Sequence, residues 1–535
     1  MLTRITQSIA WAAVLLVLTA ALVAPLSVAE EKKYDVLIRN GLLLDGTAAP
    51  WRHADVGIVG DRVVSVGYIP PDVKAELLID AAGRYVTPGF IDPHSHASTG
   101  LEAPERASAA PLLWQGITSV YINPDGGGPA DLAEQLETIR RNIPGVNVMP
   151  MIGHNAVRES VMGLAKRSPT SAELAQMQTL VRKAMEYGAF GLSSGPFYIP
   201  GKFSKTSELV AMAQAAAEFP GAFHTIHLRD ESNYDVGVIA AVEELIEVSR
   251  QTGIVGVVSH FKMLGPFVWG HSEPLVNIIN AAREEGLSIW ADQYPYVASS
   301  TGLQQALVPG WAQEGGAEAM TLRLQEAESL AVIRPQMLEN LARRSGPEAI
   351  LIADHSADET LVGRYLDDIA RERSQDPLDT AINMLIEGGA GIISFNMNDD
   401  DVQRIMHQPW TMTSSDGEVP EFGVGNPHPR SYGAFARKIR KYVVEDEVIT
   451  LEQMVHTSSG LTASVLGATD RGYIRPGGYA DVLVFDPTKV HDVASFENPH
   501  AYSVGMDYVL VNGRPAILKG KLVEERHGRI LRPRR

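Results

Sequence analysis

Apolar runs of strand length recur through the middle of the chain, and each ends in polar residues. The first, Val86-Thr-Pro-Gly-Phe-Ile91, leads into Asp92-Pro-His94-Ser-His96. Thr118-Ser-Val-Tyr-Ile122 runs to Asp125, and Val146-Asn-Val-Met-Pro-Met-Ile152 to His154. Ala189-Phe-Gly-Leu192 ends at Ser193-Ser194, Ala222-Phe-His-Thr-Ile226 at His227, and the run 254–258 at His260. Leu287-Ser-Ile-Trp290 ends at Asp292-Gln-Tyr294, and Trp410-Thr-Met412 at Ser414-Ser-Asp416. Helical periodicity separates them, clearest over 131–141, 171–187, 207–218 and 236–251. Strand and helix alternating in this way predict a parallel sheet. Eight units predict a closed barrel whose C-terminal strand ends meet at one mouth. The gap at about 300–409 must hold an insertion.

The flanks read differently. Short alternating strands with Asn40-Gly41, Gly60-Asp61 and Asn512-Gly513 turns occupy residues 34–85 and the stretch after about 472. The expected architecture is an α/β, TIM-like (β/α)8 barrel inserted in a small β-sandwich domain formed by both chain ends. Its parts are a first β segment at 30–87, the barrel at 88–470 and a second β segment at 471–535.

A closed barrel turns scattered residues into a site. His94 and His96 lie on one side of an extended chain. With Asp125, His227, His260 and Asp416 they project at the same face, and imidazoles with carboxylates are the donors that hold zinc or a similar divalent ion. Taken singly each residue has a plainer reading: a polar strand end for the histidines, a solvated turn before Gly126 for Asp125, a turn for Asp416.

Composition narrows the chemistry. A formal charge of −18 over 535 residues disfavours a nucleic-acid partner. There is no cysteine, so no disulfide and no thiolate ligand or nucleophile. Arg4, a nearly continuous apolar stretch over 9–26 and Ser27-Val-Ala29 form a signal-peptide pattern over 1–29, with cleavage after Ala29. The expectation is an exported, periplasmic or secreted protein with no stable membrane span after cleavage. An uncleaved anchor is the other reading.

Read together, these words resemble the amidohydrolase superfamily, specifically its D-aminoacylase (N-acyl-D-amino-acid deacylase) branch. Matching words are Pro88-Gly-Phe-Ile-Asp-Pro-His-Ser-His96, Gln115-Gly-Ile-Thr118, Gly153-His154, Gly188-Ala-Phe-Gly-Leu-Ser193 and His227-Leu-Arg229. They continue through Ser259-His-Phe-Lys262, Asp292-Gln-Tyr-Pro-Tyr296, Ser415-Asp-Gly417, His428-Pro-Arg430 and Gly477-Gly-Tyr-Ala-Asp481. The resemblance implies one tightly held ion, zinc or another divalent metal, on His227 and His260. It implies a second, weaker site on His94, His96 and Asp416. That branch supplies a cysteine as third ligand at the end of strand two, where this chain has Asp125. Asp416 is the implied catalytic proton shuttle. Lys262, Tyr294 and Arg430 are the implied binders of the free carboxylate of a small N-acyl amino acid or dipeptide. His154 and Arg158 are expected to be structural rather than to shape the pocket, and Tyr198 to fill core, with the acyl pocket as its other reading. Hydrolysis of a cyclic amide or lactone, and an exported binding protein with a decayed site, are the competing readings.

Overall fold

A computed structural model describes residues 33–468 and 470–535. The leader expected over 1–29 lies outside the described residues. Among those described, no helix is long and apolar enough to cross a membrane.

Eight parallel segments form the barrel wall: Phe90–Asp92, Ile117–Ile122, Asn147–Pro150 continued by Ile152–Gly153, Leu192–Ser194, Phe223–Ile226, Val255–Val258, Ile289–Gln293 and Thr411–Thr413. The third strand is interrupted at Met151. Its first part pairs with the second strand and its last two residues with the fourth. The wall closes through the loops that follow strands one and eight. Asp416 N donates to His94 O at 3.0 Å, and His96 N to Gly417 O at 2.8 Å.

Alternation along the strands divides the core, since successive side chains take opposite faces. Ile91, Tyr121, Met149, Phe223, Val257 and Met412, from six different strands, share one apolar cluster. The Tyr121 hydroxyl donates to Leu466 O, so residues 461–468 close the end of the barrel remote from the histidines. Neighbouring positions such as Phe90, Val120, Val148, Ile226 and Val258 pack instead with the apolar faces of the helices. Those helices carry their own start signals. Asp131 caps Leu132–Asn142, and Thr170 with Glu173 forms a capping box on Ser171–Tyr187.

Both chain ends build one nine-stranded sheet. Tyr34–Leu43, Arg52–Val59, Arg62–Gly67, Ala75–Asp80 and Tyr85–Pro88 join Val482–Phe485, Met506–Val511, Arg514–Leu518 and Lys521–Leu522. Val63 N reaches Gly478 O and Ala480 N reaches Asp61 O, which folds the sheet round on itself over Val56, Ile58, Val482 and Val484. The chain then leaves this sheet: Ile530 bridges Val148 of the third barrel strand.

The long interval between strands seven and eight is a subdomain with its own core. An antiparallel sheet of Ser299–Gly302, Ile350–His355 and Ala390–Ser394 is packed by helices that include Ala327–Arg343 and Pro377–Ile386. It forms one wall of the cavity at the barrel mouth.

Candidate metal centre

The six strand-end residues converge. Asp125 stands between two pairs of histidines and offers a different oxygen to each. Its Oδ2 lies 3.4 Å from His94 Nε2 and 3.2 Å from His96 Nε2. Its Oδ1 lies 3.7 Å from His227 Nδ1 and 3.3 Å from His260 Nε2. Asp416 Oδ1 completes the first group at 3.5 Å from His94 Nε2 and 3.2 Å from His96 Nε2. Two sets of donor atoms therefore share Asp125: His94, His96 and Asp416 on one side, His227 and His260 on the other.

The backbone is bent to achieve this. Asp125, His260 and Asp416 have φ of 56°, 34° and 49°, in the left-handed region that side chains with a Cβ rarely adopt. Neighbouring groups hold them there. His260 N donates to Asp292 Oδ1 at 2.9 Å, and Asp416 N to His94 O. Buried Asp92 accepts from Ser415 N at 3.0 Å and from Ser415 Oγ, tying strand one to the loop that carries Asp416. Burial raises the Asp92 carboxyl to about 7 against those hydrogen bonds. At Gly195 an added Cβ would sit 2.1 Å from Asp125 O, so the loop after strand four must be glycine for the two loops to meet.

The electrostatics suit a cation. Burial opposes charge on Asp125, but His94 and His260 outweigh it and hold the carboxyl well below its usual range. Burial also opposes charge on Asp416, and there Arg430 and the histidines prevail in the same direction. Against burial, Asp125 and Asp416 raise His96 to about 10. His227, dominated by burial, falls to about 3. His94 Nε2 and Asp125 Oδ1 are buried with no hydrogen-bond partner, and the facing nitrogens of His227 and His260 are 2.8 Å apart. A cluster of converging lone pairs left in this state is costly. A divalent ion satisfies it, so the residues present fit a metal.

Glu231, four residues after His227, belongs to this centre. Its Oε1 is 3.1 Å from His260 Nδ1 and 2.8 Å from Lys262 Nζ. Lys262 Nζ is nearer still, 2.6 Å from His260 Nδ1. For His260 to offer the Nε2 lone pair, Nδ1 must carry the proton and turn it to Glu231, with Lys262 donating to the same carboxylate. Lys262 lines the cavity on that carboxylate.

Arg430 Nη1 lies 2.7 Å from Asp416 Oδ2. Its backbone N donates to His428 Nδ1 at 3.0 Å, and His428 Nε2 donates to Ala298 O at 3.1 Å, which sets the start of the helix Arg430–Arg437. Tyr294 is one layer further back. Its ring centroid is 4.9 Å from the guanidinium and its hydroxyl donates to Met397 Sδ. Tyr198, expected in the core, instead lines the cavity with its ring 4.6 Å from that of His227. The reason is the turn after strand four, which brings Tyr198 N to Gly195 O beside the Asp125 loop. His154 and Arg158 both engage buried Glu208 and stand apart from the cavity lining. The cavity itself holds about 470 Å³.

Residues 77–517 match the Amidohydrolase family. The chain is 32% identical to a D-aminoacylase of Alcaligenes xylosoxydans xylosoxydans, over 95% of this chain and 99% of that protein. It is 33% identical to an N-acyl-D-glutamate deacylase of the same organism, over 94% of this chain and 97% of the relative. The structure superposes with a TM-score of 0.81 on the N-acyl-D-glutamate deacylase of Bordetella bronchiseptica, at 33% identity, covering 94% of this chain and 100% of that one. That crystal structure holds zinc and a phosphonate inhibitor that mimics the tetrahedral intermediate.

Proposed function

The chain belongs to the Amidohydrolase family, and from that premise we propose that it hydrolyses the amide bond of N-acyl-D-amino acids, or of a dipeptide with a D residue, with a divalent metal as cofactor. The observation that carries the reading is Asp125 standing between two histidine pairs in the cavity that also holds Asp416 and Arg430. The likeness to D-aminoacylase and N-acyl-D-glutamate deacylase supports the substrate class.

In this proposal Asp125, His227 and His260 hold the tighter ion, and His94, His96 and Asp416 offer the second position. When bound, the metal supplies an acidified water and a Lewis-acid contact for the scissile carbonyl oxygen. Asp416 accepts the proton of the attacking water at a carboxylate oxygen and returns it to the amine nitrogen as the C–N bond breaks. The products are a carboxylic acid and a free amino acid. Arg430 keeps Asp416 ionised and turned toward the reacting atoms, and its remaining N–H groups, with Lys262, receive the substrate α-carboxylate. Glu231 fixes the His260 tautomer.

The signal-peptide pattern supports export, so the substrates would be met in the periplasm or outside the cell. Cell fractionation with determination of the mature N-terminus tests that part. The activity is tested by loading the purified protein with zinc, cobalt or manganese and assaying free amine release from matched N-acetyl-D- and N-acetyl-L-amino acids. Turnover of D members supports the reading. A protein loaded with each metal and inert across the panel refutes it.

A further inference from the structure

Four arginines are buried among the described residues: Arg158, Arg344, Arg430 and Arg471. Three of them have a carboxylate, Glu208, Asp416 and Asp481 in turn. Arg344, only 1% exposed, has none within ion-pair distance among the described residues, although the chain carries 64 acidic side chains. Its partners are neutral oxygens. Nε donates to Tyr234 Oη at 2.7 Å and Nη1 to Ser299 Oγ at 3.4 Å. A buried guanidinium without a counter-charge is unfavourable unless something supplies the anion.

The position of Arg344 says where that anion enters. It follows the insertion helix Ala327–Arg343, yet its side chain bonds none of that helix's terminal carbonyls, so it is not a C-terminal cap. It lines the same cavity as His96, His227, His260 and Asp416, on the wall formed by the insertion. The two acidic residues of that wall and rim, Asp354 and Glu418, are both out of ion-pair reach of it. The other two cations of the cavity each have a protein carboxylate, Arg430 on Asp416 and Lys262 on Glu231, and their remaining N–H groups are the ones assigned to the α-carboxylate.

Resting on the proposed deacylation, we infer that Arg344 is a specificity-determining residue that binds a second carboxylate of the substrate, additional to the α-carboxylate. The preferred substrates are then N-acyl amino acids that are dicarboxylic. Two sources of that carboxylate have the same chemistry, an acidic side chain or an acidic acyl group.

The test compares kcat/KM within near-isosteric pairs: N-acetyl-D-glutamate against N-acetyl-D-glutamine, N-acetyl-D-aspartate against N-acetyl-D-asparagine, and N-succinyl-D-leucine against N-butanoyl-D-leucine. The wild type should favour the acidic member of at least one pair by roughly 10- to 100-fold, the range for a charge-assisted hydrogen bond to a buried partner. The pair that discriminates identifies the source. Arg344→Gln should bring that ratio to within about threefold by slowing the acidic member alone, and Arg344→Lys should keep part of it. A ratio measured on one preparation is independent of the fraction that folds correctly, so partial misfolding of either variant does not blur the result. Turnover without discrimination in any pair overturns this inference and leaves the deacylase reading standing. So does equal loss on acidic and neutral members in Arg344→Gln. Absence of turnover on every member overturns both.

Discussion

Arg430 Nη1 and Asp416 Oδ2 are 2.7 Å apart, both side chains buried, at the point where the loop after the last barrel strand meets the histidines of the first. The pair keeps the carboxylate charged in a setting whose burial alone would protonate it. Asp416→Asn removes the proton acceptor and leaves Asp125, His227 and His260 in place. We expect kcat to fall by at least about 10³ while the tighter ion is retained. Steady-state rates and elemental analysis on the same samples check both halves. Arg430→Lys keeps a charge and loses the planar fork, and should cost about 10²-fold in kcat/KM. Loss of the ion in Asp416→Asn, or full activity in Arg430→Lys, would contradict these roles.

Asp125 offers one oxygen to each histidine pair. Asp125→Ala should therefore reduce divalent metal content at both positions, to well below one ion per chain. Asp125→Cys, a softer donor, should recover the ion with its preference moved toward zinc over manganese. Competitive binding of the two metals to apo wild type and Asp125→Cys gives the preference directly, without an activity assay. An unchanged zinc to manganese ratio would mean that Asp125 is not a ligand.

The parts of this molecule legible in the sequence are those where a local pattern and a global rule coincide. Val255–Val258 is an apolar run with His260 just beyond, and barrel geometry sends every such residue to one mouth. Ser171–Tyr187 begins where Thr170 and Glu173 form a capping box. Glu231 is different. Four residues past His227 in Leu-Arg-Asp-Glu it looks like any solvated charge, and only the loop's path brings it under His260. Arg344 sits in an insertion that the strand-end rule does not reach, and nothing in the local sequence separates it from the half-buried Arg343 beside it. Tyr198 has the composition of core, and the close approach of the Gly195 loop to Asp125 turns it toward the cavity. The left-handed φ of Asp125, His260 and Asp416 falls on residue types that adopt it more readily than most, but only the tertiary contacts of this loop cluster impose it.

His154 and Arg158 share Glu208, with His154 Nε2 at 2.9 Å, in a triad whose members are all buried. Breaking such a group from one side strands a charge in the interior. Glu208→Gln should lower stability to unfolding by about 3 to 5 kcal/mol, since Arg158 keeps its charge and loses its counter-ion. Metal content should be unaffected, because the triad contributes nothing to the cavity lining. Denaturant unfolding with a parallel metal assay separates this structural role from a catalytic one. A variant of wild-type stability would show that Arg158 finds another partner.

Lys438 is buried against Thr413 at the end of the eighth strand. Its Nζ donates to Thr413 Oγ1 at 2.7 Å and to Thr457 Oγ1 at 3.3 Å, with no carboxylate in ion-pair reach among the described residues. Burial lowers the ammonium from 10.5 to about 7. In the unfolded chain the same lysine stays protonated to its ordinary value. Between about pH 7 and 10.5 the unfolded state therefore binds more protons, and folding stability from this group rises with pH across that window. Below about 7 both states are protonated and the penalty of the buried charge is fully present. Lys438→Met removes that penalty and lets the hydroxyls of Thr413 and Thr457, 3.2 Å apart, pair with each other. The variant should exceed wild type in stability at pH 7, and its advantage should shrink by roughly 1 to 3 kcal/mol by pH 9. Other titrating groups cancel in the difference between the two proteins, so urea midpoints at matched pH isolate this lysine. A gap between variant and wild type that is constant from pH 7 to 9 would show that Lys438 keeps its proton in the folded state throughout.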